Sequence, residues 1–223
     1  MRRLLVAIVM FVLMCGLLTS AIYAYFNDTE TSAGNTFTAG TLNLVPSTAG
    51  AGPAGKYAVT AGGDGVNGNV VFTRVAPDDS GSITWALNNG GDLDGTLTMS
   101  SAVAFAENGS NEPENAVVGN NNGGNGDLDE YMGVRVMRNG TYFLGDASNY
   151  VSFSNLQAAL NAESQSLAAG GTITYVLEWQ IVSDVQGAGV DGLFGTADDV
   201  PVDDNIIQSD QATIDVTFQL VQA

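Results

Sequence analysis

The chain contains no histidine, one cysteine and only six basic residues among 223. Without histidine it lacks the commonest general base and the commonest zinc ligand. Ser-His-Asp and Cys-His sites and the H-E-x-x-H zinc motif are therefore excluded. The one cysteine, Cys15, lies in an apolar run near the N-terminus, so the rest of the chain cannot form a disulfide within itself. Beyond residue 24 the only basic residues are Lys56, Arg74, Arg135 and Arg138, against 24 acidic ones. The formal charge of −18 becomes −20 once Arg2 and Arg3 are removed. Such a surface repels nucleic acid and anionic lipid, attracts cations, and makes identical copies repel one another.

The two arginines open a secretory leader. "LLVAIVMFVLMCGLL" is its apolar run and "TSAIYA" its small-residue close. Residues 1–24 are expected to be a cleaved signal peptide, making the protein secreted and its membrane contact transient. Local chemistry favours cleavage after Ala21 over Ala24, and a retained anchor is the competing reading because the run can span a bilayer. A lipoprotein signal fits poorly, since Met14 precedes Cys15. An archaeal pilin-type signal finds no glycine in "MRRLL".

After residue 36 the patterning is of period two. "GTITYVLEWQIV" sets Ile173, Tyr175, Leu177, Trp179 and Ile181 on one face, and "ATIDVTFQLV" does the same with Ile214, Val216, Phe218 and Leu220. "SITWALNN" alternates Ile83, Trp85 and Leu87. "NVVFTRVAP" and "TLTMSSAVAF" are further strands rich in β-branched residues. Asn139-Gly140, between two apolar arms, predicts a hairpin. "SNLQAALNAES" predicts one short helix with Ser154 as N-cap. "PSTAGAGPAGK", "ENGSNEPENAVVGNNNGGNGD" and "SDVQGAGVDGLFGTADDVPVDDN" are expected to be loops. About eight strands with glycine-rich turns predict an antiparallel two-sheet β-sandwich of jelly-roll type over residues 37–223.

Two kinds of site suggest themselves. "GVDGLFGTADDVPVDD" packs Asp191, Asp198, Asp199, Asp203 and Asp204 into a glycine-punctuated stretch, a donor set that suits Ca²⁺. It resembles the loops of calcium-binding surface proteins; a solvated acidic loop is the alternative. Asp127, Asp129 and Glu130 form a weaker second set. Asn27, Asn108 and Asn139 each head a glycan acceptor triplet, with Asn108 and Asn139 the better placed; ordinary turn residues would look the same. Paired carboxylates aside, no catalytic pattern is present, and no enzymatic activity is expected.

"YFNDTETSAGNTFTAGTLNL", directly after the leader, resembles the start of the TasA/camelysin family of secreted filament proteins and its archaeal bundling-pilus relatives. Thr36 to Leu44 is similar to the family's T-F-x-A-G-T-L-D-L strand, with Asn43 where Asp is usual. "VAPDDSGSITWALNNGGDLDGTLTM" and "SDQATIDVTFQLVQ" are similar to later strands. The resemblance implies cleavage after Ala24 and a subunit that polymerises head to tail by donor-strand complementation. Residues 25–36 would then be the donor, with Tyr25, Phe26, Asn27, Asp28, Thr29, Glu30 and Thr31 at the subunit interface. Partners would be further copies and neighbouring filaments, in a biofilm matrix or at a surface. Physical reasoning is compatible: an extended segment can pair with an open sheet edge, and a head-to-tail contact that does not close builds a filament. An ordinary edge strand or a frayed terminus is the alternative for this segment. For the whole chain the alternative is a monomeric, calcium-stabilised surface-binding module. Within the first strand, Phe37, Ala39, Leu42 and Leu44 are expected inward, with a bulge at Gly40.

Overall fold

The structure, a computed structural model, describes residues 43–61, 67–107, 116–117, 126–182 and 186–222. Gly40–Ala223 forms one compact unit. It is built from antiparallel strands in two main sheets. The first sheet runs β1 (Leu44–Ala51), β4 (Ser80–Asn89), β10 (Thr172–Gln180), β6 (Gly133–Arg138), β8 (Tyr150–Ser152) and β12 (Leu193–Phe194), with β7 (Thr141–Leu144) also paired to β6. The second runs β2 (Tyr57–Ala61), β3 (Asn67–Thr73), β14 (Asp210–Gln222), β5 (Gly95–Glu107) and β9 (Ser164–Leu167). A small ribbon pairs β11 (Gln186–Gly187) with β13 (Val200–Pro201). This is the expected antiparallel two-sheet sandwich. A jelly-roll winding is a narrower statement than these strand orders make.

The alternation in the sequence sets the inner faces. Ile83, Trp85 and Leu87 of β4 are buried, as are Ile173, Tyr175, Leu177 and Trp179 of β10 and Ile214, Val216 and Phe218 of β14. Each such side chain contributes about 1.5–3 kcal/mol on burial. Aromatic rings lock the layers together. Phe72 meets Trp179 at 5.3 Å and Phe153 at 5.8 Å edge to face, and Trp85 lies 6.2 Å from Phe218 across the sandwich. The predicted hairpin is β6–β7, with Asn139 at φ 48° and Gly140 at φ 81°, the left-handed pair a tight turn requires.

Residues 186–205, expected to be a loop, carry β11, β12, β13 and the start of a 3-10 turn. Two other local expectations are corrected. Residues 46–51, read as part of a flexible loop, belong to β1, which pairs with β4 from Leu44↔Asn89 to Ala51↔Ser82. Composition misled because β1 is an edge strand of small residues crossing a large side chain. A Cβ on Gly50 would come within 2.6 Å of Tyr57 Cε2. Of the inward set expected in the first strand, Leu44 is half-buried against the core, while Phe37, Ala39, Gly40 and Leu42 lie outside the described residues. The second correction concerns the short helix. It is α2 (Leu156–Asn161), preceded by a 3-10 turn over Phe153–Asn155 whose N-cap is Ser152, not Ser154. The Ser152 hydroxyl accepts from the Ser154 N–H at 3.3 Å. Leu156 and Leu160 are buried as expected. A further single turn, α1 (Leu128–Tyr131), buries Leu128.

Candidate functional site: an acidic loop and the sheet edges

The acidic stretch folds back on itself between β11 and β13. Asp198 Oδ2 accepts the N–H groups of Val190 at 2.9 Å and Asp191 at 3.3 Å. Asp199 Oδ2 accepts those of Gly195 at 2.8 Å and Thr196 at 3.2 Å, and Asp191 Oδ1 accepts that of Leu193 at 2.9 Å. Around the Thr196 hydroxyl stand Asp198 Oδ1 at 2.8 Å, Asp199 Oδ1 at 3.1 Å and Asp191 Oδ1 at 3.5 Å. A hydroxyl has one proton to donate, so it cannot serve three carboxylates fully. Its hydrogen bond, with those from the backbone, holds the Asp198 carboxyl below the usual range. Phe194, buried in β12, ties the loop to the first sheet through β8.

Three of the five sequence-predicted aspartates are thus brought together. Asp203 is placed elsewhere: it caps the 3-10 turn Asp204–Ile207, accepting the Asn205 N–H at 3.0 Å, and that bond lowers its pKa. Asp204 sits in the first turn of that element. Among the described residues no group of three or more acidic side chains is arranged to hold a metal ion. The second acidic set occupies α1. Asp127 is buried ahead of it, and partial desolvation raises the carboxyl pKa of Asp129 and Glu130, the latter also through its acidic neighbours.

Asn139 is exposed on its turn. Its Oδ1 accepts the Thr174 N–H at 2.9 Å, which leaves Nδ2, the atom a glycan would take, outside that bond. Asn27, Asn108 and the segment from Tyr25 to Thr31 lie outside the described residues.

The sheet edges are treated unequally. Only Gly95–Thr98 of β5 pairs with β9. Beyond that point α2 stands in for a strand: Asn161 Oδ1 accepts the Ser101 N–H at 2.5 Å, and Gln157 Oε1 accepts the Val103 N–H at 3.1 Å. Sequence reasoning missed this. The clue available was a pair of amides four residues apart, on one helical face. On the opposite side, no described strand pairs with the outer edges of β1 or β2.

The four basic residues beyond residue 24 divide likewise. Arg135 Nε meets Glu178 Oε2 at 2.5 Å, and its guanidinium lies 4.3 Å from the Tyr150 ring centroid. Arg138 pairs with Glu163. Near the start of β2, Lys56 Nζ lies 3.2 Å from Asp79 and donates to the Arg74 carbonyl at 2.7 Å. Arg74 is exposed, with no ion pair among the described residues. A shallow groove of about 400 Å³ lies at the β1–β4–β10 end, lined by Ala51, Ser80, Ser82, Tyr150 and Glu178 among others.

The family model described as camelysin metallo-endopeptidase matches residues 1–49. No curated protein and no solved structure matches the chain. The match spans the apolar N-terminal run, the aromatic-Asn-Asp segment and the entry into β1, and over those residues alone the chain is similar to the camelysin family.

Proposed function

We propose that the protein is a secreted structural subunit of an extracellular filament or bundling pilus, assembled by donation of residues 25–36 to a neighbouring copy. The observation that carries this reading is the family match over residues 1–49, which contains the whole proposed donor. The outer edges of β1 and β2, with which no described strand pairs, would supply acceptors of the right chemistry. With a charge near −20 after removal of the leader, lateral bundling of filaments needs divalent cations or salt to screen repulsion. Ca²⁺ is the proposed ion of the Asp191–Asp199 loop, and Asn108 and Asn139 are the proposed glycan acceptors.

The matching family carries a peptidase name. A chain without histidine lacks the usual ligands for a catalytic zinc, and we propose a non-enzymatic role. Peptide hydrolysis by the purified protein that chelator abolishes would overturn that part.

Electron microscopy of the secreted protein tests the main reading. Filaments are expected, and deletion of residues 25–34 should leave a folded monomer without them. Filaments unimpaired by the deletion would refute donation. A second reading, a monomeric surface-binding module, is favoured by the groove beside Tyr150 and Glu178. It requires a monodisperse monomer by light scattering, with no filaments.

A further inference from the structure

We propose that the outer edge of β2 receives residues 25–34 of a second copy, with Lys56 and Arg74 facing the acids Asp28 and Glu30 of that segment. This rests on the polymerisation proposed above and names the place where it happens.

The described edges are not equivalent. β9 has four residues and β12 two, and the stretch of β5 past β9 has its Ser101 and Val103 N–H groups taken by α2. β1 is longer but offers mainly small, exposed side chains at Ser47, Ala49, Gly50 and Ala51. β2 combines an outer edge that no described strand pairs with, and packing that is incomplete among the described residues. The Thr73 N–H donates to the Lys56 carbonyl at 2.8 Å. Lys56, Ala58 and Thr60 therefore bond toward β3, and the N–H and C=O groups of Tyr57, Val59 and Ala61 face outward. The Tyr57 and Val59 side chains, on the inner face, are only half-buried against the core. An added strand would cover both and gain the ladder bonds of the outward-facing Tyr57, Val59 and Ala61.

Charge selects the same edge. The segment from Tyr25 to Gly34 carries two acids and no base, so a strongly acidic subunit repels it almost everywhere. Arg135 and Arg138 are already paired with Glu178 and Glu163. Lys56 has two ammonium protons engaged, at Asp79 and the Arg74 carbonyl, and a third to offer. Arg74 beside it has no ion pair among the described residues. Antiparallel addition that sets Glu30 beside Lys56 sets Asp28 beside Ala58 and Phe26 beside Thr60, so the acids lie at the basic end and the aromatic at the other.

The experiment places p-benzoyl-phenylalanine at position 26 of the full-length secreted protein, irradiates assembled filaments, and maps the crosslinks by mass spectrometry. Crosslinks to residues 57–74 of a neighbouring copy are expected. In parallel, Arg74→Glu should slow assembly roughly two- to fivefold, the size of a surface ion pair, and Glu30→Arg in the same chain should restore it. Circular dichroism confirms that each variant is folded. Filaments whose crosslinks fall on residues 44–51 or 164–167 would overturn the β2 edge and leave polymerisation standing. Wild-type protein that forms no filaments at all would overturn both.

Discussion

The Asn161 side chain completes the backbone of Ser101 as a neighbouring strand would, accepting its N–H at 2.5 Å and donating to its C=O at 3.3 Å. The helix α2 thereby ends one sheet edge without adding a strand, which removes a template for pairing with other chains. Asn161→Ala leaves the Ser101 N–H without this partner on a largely buried edge, at a cost of about 1–3 kcal/mol. Urea denaturation should report that loss. If α2 does shield this edge, the variant should also aggregate sooner on mild heating, measured by light scattering.

Gly81 marks the tightest contact near the groove. A Cβ there would come 2.4 Å from the Ala51 carbonyl oxygen and 2.9 Å from the Trp179 ring. Both neighbours are held, one in the strand ladder and the other in the core, so neither yields cheaply. Gly81→Ala should destabilise the fold by about 1–3 kcal/mol, as overpacking does. Gly170→Ala is a partial control: nothing lies within 4 Å of its Cβ position, and its φ of 69° leaves only backbone strain. A chemical-denaturation midpoint for Gly81→Ala equal to that of the parent would contradict the packing argument.

Asp198 and Asp199 each accept two backbone N–H groups in the acidic loop and both approach the Thr196 hydroxyl. Bound Ca²⁺ would relieve the repulsion among Asp191, Asp198 and Asp199. Addition of calcium should raise the melting temperature and slow proteolysis within residues 186–201. EDTA should reverse both, and Asp198→Asn should lose the response. A melting curve indifferent to calcium and EDTA removes the ion from the proposal.

Glu130 tests the sign of a pH effect. Partial desolvation in α1, with the charges of Asp129 and Asp127 beside it, raises the carboxyl of the exposed Glu130 above the ordinary 4.5. The folded state therefore holds this proton more tightly than the unfolded one, so stability falls as pH rises from the ordinary value through the raised one. Glu130→Gln should be more stable than the parent at pH 7. The difference should vanish below about pH 4, where both states of the parent are protonated. Thermal melts across pH 3–8 give the comparison. Asp146, Asp198 and Asp203 act oppositely, because hydrogen bonds lower their pKa values and acid removes what those bonds contribute.

Strand identity came from the sequence wherever one face is buried and the other wet. In β4, β10 and β14 the inward residues are apolar apart from Asn89 and Asp210 at strand ends, and period two is then unmistakable. The Asn139-Gly140 turn was legible because few residue pairs tolerate left-handed backbone at both positions. The absences were legible too: without histidine, and without cysteine beyond residue 15, several chemistries are closed whatever the fold.

Tertiary structure decided what depends on neighbours distant in the chain. β1 reads as a loop until β4 supplies its ladder and Tyr57 explains its glycine. The five aspartates look like one cluster in sequence. Folding sends three to Thr196 and leaves Asp203 to cap a helix turn, because backbone donors compete for carboxylates at short range. Most of all, composition cannot say which edges of a sandwich stay open. That follows from the amides of α2 meeting β5 across 54 to 60 residues of chain, while among the described residues no strand pairs with the outer edge of β2 beside Lys56 and Arg74.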